Sequence, residues 1–192
     1  MKAIILTVLS SWGVFHAAVG QQAPTSSASK TTQAAPTDEF YQLLARSNGV
    51  WTGQATMTFS PTAPPLTSTS TLTNSMTMGG LFQVSEIVYN INGQQIRGVR
   101  VTGYDAAKKI FTRAMIQDGG NGVAMEGPWD PATKSTTMRY QQLNNTTGQY
   151  SDMKEVYTFI DANTELLEIY RRDAKTNKEV KILNVKWTRN QQ

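Results

Sequence analysis

One histidine, His16, and no cysteine decide first what chemistry this chain lacks. Ser-His-Asp and Cys-His triads, His- or Cys-ligated zinc, iron–sulfur clusters and His-ligated haem all need an imidazole or a thiol. His16 lies inside a segment that reads as a cleaved leader, so the mature chain is expected to carry neither group, and neither a metal nor a cofactor is expected. Carboxylates, phenols and ammonium groups are what remain. Asp105, Asp118, Asp130, Asp152, Asp161 and Asp173 fall at expected turns, where they have structural work. Glu155 and Glu168 are the pair that acid–base chemistry would use. Near them stand Tyr157, Phe159, Tyr170, Lys181, Leu183 and Trp187, a mixed set of aromatic, cationic and apolar side chains suited to holding a small molecule.

The chain that must position them has 192 residues, 39% of them hydrophobic, which is room for one sizeable core. Met1 and Lys2 precede about twelve mostly apolar residues, and Ala17, Ala18 and Gly20 follow as small residues before a polar stretch. Residues 1–20 therefore read as a signal peptide cut before Gln21, giving an exported protein, periplasmic or secreted and soluble. The run is too short to span a bilayer, and no later segment approaches that length. Without Lys2, 17 basic residues face 14 acidic ones, a net charge of +3 that is too mild to argue for nucleic acid. Residues 21–36 contain no large apolar side chain and read as a disordered linker. Residues 37–192 form the folded domain.

Thr37, Asp38 and Glu39 precede Phe40, Tyr41, Leu43 and Leu44, an N-cap with an acidic first turn before an apolar face. A short helix is predicted there, ending near Asn48-Gly49. Beyond it the pattern has period two. Trp51, Gly53, Ala55, Met57 and Phe59 alternate with polar residues, and Thr67, Thr69, Thr71 and Thr73 form a hydroxyl stripe on the next strand. Further strands are predicted near 81–90, 95–104, 109–117, 122–127, 134–143, 153–160, 165–172 and 179–189. Tight turns separate them. Asn92-Gly93 is a hairpin signal, and an aromatic-Asp-small-Lys pattern recurs at Tyr104-Asp105 and Trp129-Asp130, with Asp173 opening a partial copy. About ten strands with no intervening helix leave no place for parallel crossovers. The expected class is all-β, an antiparallel up-and-down barrel that closes to remove its edges, with a sandwich as the alternative.

Gly49-Val50-Trp51 at the first strand and Trp187-Thr188-Arg189 at the last resemble the Gly-x-Trp and terminal Arg of lipocalin and calycin barrels, where the guanidinium packs over the indole and closes one barrel end. Together with Gly79-Gly80-Leu81-Phe82, Gly103-Tyr104-Asp105 and Lys154-Glu155-Val156-Tyr157, this order resembles the family catalogued as domain of unknown function 1579, over roughly residues 37–189. The resemblance implies a lipocalin-like barrel, with Trp51 and Arg189 as its closure, and no established activity. Many members carry an aromatic and an Asp in the fifth strand, where this chain has Met115 and Gln117.

If Arg189 reaches Trp51, strand parity extends inward from that end. A two-residue turn at Ala162-Asn163 would set Phe159 opposite Leu166, Tyr157 opposite Glu168 and Glu155 opposite Tyr170. A turn at 174–177 would set Tyr170 opposite Lys181. The inward set is then Glu155, Tyr157, Phe159, Leu166, Glu168, Tyr170, Lys181, Leu183, Val185 and Trp187, and the expected function is binding of a small amphipathic or hydrophobic molecule in the lumen. The opposite parity would instead bury Val156, Ile160, Leu167, Ile169 and Ile182. Two other functions stay open: an envelope or interaction protein with a filled barrel, and a carboxylate-based enzyme using Glu155 and Glu168. A narrow lumen disfavours the enzyme.

Overall fold

The computed structural model describes residues 38–191, apart from 59–61, 92, 121 and 146. The expected signal peptide and linker lie outside the described residues. The chain opens with helix α1, Glu39–Arg46, whose N-cap Asp38 accepts a hydrogen bond from the Phe40 amide at 2.9 Å. Ten strands follow: β1 Gly49–Met57, β2 Leu66–Thr77, β3 Phe82–Ile91, β4 Gln94–Asp105, β5 Ile110–Gln117, β6 Gly122–Asp130, β7 Ser135–Leu143, β8 Tyr150–Phe159, β9 Thr164–Arg172 and β10 Glu179–Arg189. Each pairs antiparallel with its sequence neighbours, and β1 also pairs with β10, so the sheet is a closed up-and-down barrel. Closure leaves no open edge, which is why the barrel rather than the sandwich forms from ten short hairpin-linked strands.

The hairpin tips repeat one device. Asp105, Asp130 and Asp173 each accept hydrogen bonds from backbone amides two or three residues on. Four residues after each of them, Lys109, Lys134 and Asn177 take positive φ angles of 58°, 52° and 57°. This is the side-chain-braced turn that the recurring Asp motif predicted.

The core fills the barrel from both sides. One cluster joins Trp51, Leu72, Ile87, Tyr157, Leu167, Val185 and Trp187, and a second joins Leu44 of α1 to Phe111, Met125, Met138, Tyr140 and Met153. Both indoles are fully buried, each a burial worth about 4–6 kcal/mol before ordering costs. Gly53 makes this packing possible: a Cβ there would stand 2.5 Å from the Trp187 ring. At the same end the Arg189 guanidinium lies 4.2 Å from the Trp51 ring centroid. It donates to the backbone carbonyls of Arg46, Asn48 and Ala162, tying the last strand to the end of α1 and to the β8–β9 turn. A cation here also meets the negative end of the helix dipole.

Two single-residue shifts correct the expected parity. The β8–β9 turn holds three residues, not two: the Ile160 amide donates to the Thr164 carbonyl, and Asp161 caps the Asn163 amide. Phe159 therefore faces Glu165, Tyr157 faces Leu167 and Glu155 faces Ile169. An odd loop turns Glu165, Leu167 and Ile169 inward and puts Leu166, Glu168 and Tyr170 outside. Lys181 does pair with Tyr170, as the 174–177 turn required, but a bulge at Ile182 then sets Leu183 opposite Ile169. The extra residue lets Ile182 pack on the second cluster and Leu183 on the first, and it leaves Lys181 outside.

Candidate functional site

Strands β4 and β5 turn an unusual face to the lumen. Arg100, Thr102 and Arg113 are buried, whereas Val101 and Ile116 of the same strands are exposed. From the facing wall β8 contributes Glu155 and Tyr157, and β9 contributes Glu165, all at 3% exposure or less. Arg113 ion-pairs with Glu155 through Nη1 and donates from Nε to the Thr102 hydroxyl at 3.0 Å. The Tyr157 hydroxyl donates to Glu165. Both guanidiniums lie over the Tyr157 ring, Arg100 at 5.5 Å and Arg113 at 5.4 Å. Charges taken out of water at this depth persist only when paired or hydrogen-bonded.

Burial shifts the titration of three groups of the cluster. It raises the Glu165 carboxyl above its ordinary value, outweighing the hydrogen bonds from Tyr157 and Ser47 and the attraction of Arg100 and Arg189. It also holds the Tyr157 phenol well above its usual range, helped by the Glu165 charge. The Arg113 guanidinium is lowered by burial, against the pull of Glu155. Arg100 is the exception to the pairing: its Nε and Nη1 have no hydrogen-bond partner among the described residues. Ser70 Oγ, Thr136 Oγ1 and Trp187 Nε1, also on inward-facing positions, are buried without partners in the same way.

At the end closed by α1 one member of the cluster, Glu165, borders a cavity. This cavity, of about 650 Å³, opens between α1 and the β8–β9 turn, walled by Leu43, Trp129, Phe159 and Ile160, with Glu165 and Arg189 among its polar groups. Apolar side chains interspersed with polar ones are the usual make-up of a small-molecule site. The Glu165 carboxyl belongs to both this cavity and the deeper cluster through its bond to Tyr157.

Of the residues the sequence nominated, Glu155, Tyr157, Phe159, Leu183 and Trp187 face the interior. Glu168, Tyr170 and Lys181 do not. They form an outer ladder in which Lys181 ion-pairs with Glu168, and Lys154 lies 4.2 Å from the Tyr170 ring. Glu155 and Glu168 thus lie on opposite faces of the wall and share no mouth. Sequence reasoning missed Arg100, Arg113 and Glu165. The signal for the first two was present, since Val99, Val101, Ile110 and Ile116 alternate with them and a reader assigns the apolar phase to the inside. Among the described residues no group of three His, Cys, Asp or Glu is placed to hold a metal.

A closed ten-stranded antiparallel barrel with a helix at one end and a charged interior defines the class. The chain belongs to the family described as "Protein of unknown function (DUF1579)", whose sequence pattern matches residues 36–189. In three dimensions it is similar to the crystal structure of Rv2717c from M. tuberculosis, with a TM-score of 0.60 at 13% identity over 82% of this chain and 99% of that one. That likeness concerns the fold. No curated protein matches the chain by sequence. No helix among the described residues is long and apolar enough to cross a membrane.

Proposed function

We propose that this chain is an exported, non-enzymatic binding protein for a small amphipathic molecule. The apolar body would lie in the cavity beside α1 against Leu43, Trp129 and Phe159, and the polar end would reach the Glu165–Tyr157 pair and the lumen behind it. The observation that carries this reading is the polar cluster buried in the barrel and joined through Glu165 to the cavity beside α1, because a barrel needed only for stability gains nothing from buried charge. A binding role is favoured over chemistry because Glu155 is committed to Arg113 and Glu168 lies on the outer face. Export is supported by the residues 1–20 pattern.

Native mass spectrometry of the protein from its own host tests both parts. The expected spectrum shows a polypeptide beginning at Gln21 with a non-covalent adduct that organic solvent releases. Binding of the neutral fluorophore N-phenyl-1-naphthylamine to the purified protein should weaken about tenfold in Phe159→Ala, the loss of one well-packed aromatic contact. A bare chain that also leaves the fluorophore free in solution overturns the binding reading, and an intact Met1 overturns export.

A further inference from the structure

The outer face of β3–β6 is apolar where a barrel wall meets water. Val101 and Ile116 are 39% and 61% exposed, and the register sets Ile116 beside Val99 and Ala114 beside Val101. Two residues along β4 from Val101, Gly103 has the Phe82 ring lying across it, since a Cβ there would stand 2.6 Å from that ring. Phe82, Val101, Gly103, Ala114 and Ala124 line a groove of about 490 Å³ on this outer face. Ile116 is thus a knob and the groove a hole floored by small residues. Both lie on one patch, which is the condition for a surface to pack on itself through a two-fold axis. The charges have the same symmetry. The outward residues of β4 are Arg97, Val99, Val101, Gly103 and Asp105, with opposite charges equally far from Val101. Neither Arg97 nor Asp105 makes an ion pair among the described residues.

We propose that this face joins two copies of the chain in a symmetric dimer whose two-fold axis crosses β4 at Val101. The proposal is independent of the binding reading above. With the axis there, the second copy's β4 runs antiparallel across the first. Val101 meets its own counterpart, Val99 lies over the second copy's Gly103, and Ile116 enters the second copy's groove. Arg97 meets the second copy's Asp105, and symmetry makes that pair twice. Opposite charges placed evenly about Val101 favour a second copy over an unlike partner, which would need no such symmetry. Four strands about 4.8 Å apart and eight residue steps of about 3.3 Å give a face of about 500 Å² per copy. The total of about 1,000 Å² is the least that a specific interface needs, so the dimer is a dissociable one, with a Kd on the order of 10 µM.

Sedimentation equilibrium of the mature chain, residues 21–192, is expected to show monomer and dimer exchanging with concentration. Ile116→Glu, at a side chain mostly in water, should weaken the dimer at least about 30-fold with circular dichroism unchanged. Arg97→Glu and Asp105→Lys should each self-associate about tenfold less. A one-to-one mixture of the two should dimerise like the parent, because each copy supplies the charge the other lacks. Asp105 also braces its turn, so a second measurement avoids the charge variants. The chain has no cysteine, and Val101→Cys puts one thiol per copy on the axis, where 1,2-bis(maleimido)ethane should link the pair. Thr69→Cys, exposed on the outer face of β2 and far from its counterpart in this dimer, should stay unlinked. A chain monomeric at about 1 mM overturns the proposal. So does a dimer that survives Ile116→Glu, or linkage of Thr69→Cys as readily as Val101→Cys, since each puts the contact on another face. Folded charge variants that fail to complement each other overturn the two-fold at Val101.

Discussion

At the scale of single residues, the lumen holds a carboxyl whose ionisation works against the fold. Burial raises the Glu165 pKa in the native state, so the native protein holds that proton more tightly than the unfolded chain does. Its effect is absent below the unfolded value, and stability falls as pH rises from there through the native value. Glu165→Gln removes the charge and keeps an oxygen to accept the Tyr157 hydrogen bond. The variant should match the parent in urea unfolding near pH 4 and exceed it at pH 7, with the gap opening between the two. A variant less stable than the parent at pH 7 would mean that ionised Glu165 is held by Arg100 and Ser47 more firmly than burial opposes it.

At the scale of elements, the turns explain what the sequence could and could not disclose. Hairpins built on Asp105, Asp130 and Asp173 were legible because the brace is local: the carboxylate, the amides it caps and the left-handed residue all lie within five positions. The β8–β9 turn was not, since nothing in Asp161-Ala162-Asn163 distinguishes a two-residue loop from a three-residue one, and one residue inverts a whole strand. The bulge at Ile182 was hidden for a related reason, as two consecutive apolar residues fit either phase of a strand. These shifts placed Glu168, Tyr170 and Lys181 outside, and Glu165 inside. The braced turns also carry a pH dependence of the opposite sign. Hydrogen bonds from the Thr176 amide and hydroxyl hold the Asp173 carboxyl below its ordinary value, and those from the Thr133 hydroxyl and Ala132 amide do the same for Asp130. Depressed native values contribute stability above the unfolded pKa that is lost as pH falls through the native one. Asp173→Ala should therefore lower the thermal midpoint at pH 7, and the difference should shrink toward pH 2. A difference that stayed constant across that range would show that the turn depends on side-chain shape and not on charge.

For the whole molecule, closure at one end joins stability to access. The first and last strands meet through Trp51 and Arg189, and three carbonyls from α1, its exit and the β8–β9 turn converge on one guanidinium. Arg46, Ala162 and Arg189 also line the cavity beside α1, so the clamp that completes the barrel also frames that mouth. The pairing was legible because Gly-x-Trp and the terminal Arg mark the two ends of the chain of strands, whereas the convergence on α1 was not, since it depends on how the helix end is seated. Lysine in place of Arg189 keeps the charge but offers a single point in place of a planar fork with donors in three directions, and it stacks less well on an indole. Arg189→Lys should cost about 1–3 kcal/mol in denaturant unfolding, the scale of charge-assisted hydrogen bonds lost without a matching partner. Tryptic cleavage after Arg46 should then speed up, as the released end of α1 swings from the barrel, and N-phenyl-1-naphthylamine should enter and leave faster. If Arg189→Lys loses stability while proteolysis at Arg46 and probe exchange stay at parent values, the clamp holds the strands alone and α1 is seated by Leu44 and Phe40 packing on Phe111. Acceleration of both shows that the arginine holding β10 to β1 also sets how readily the mouth opens.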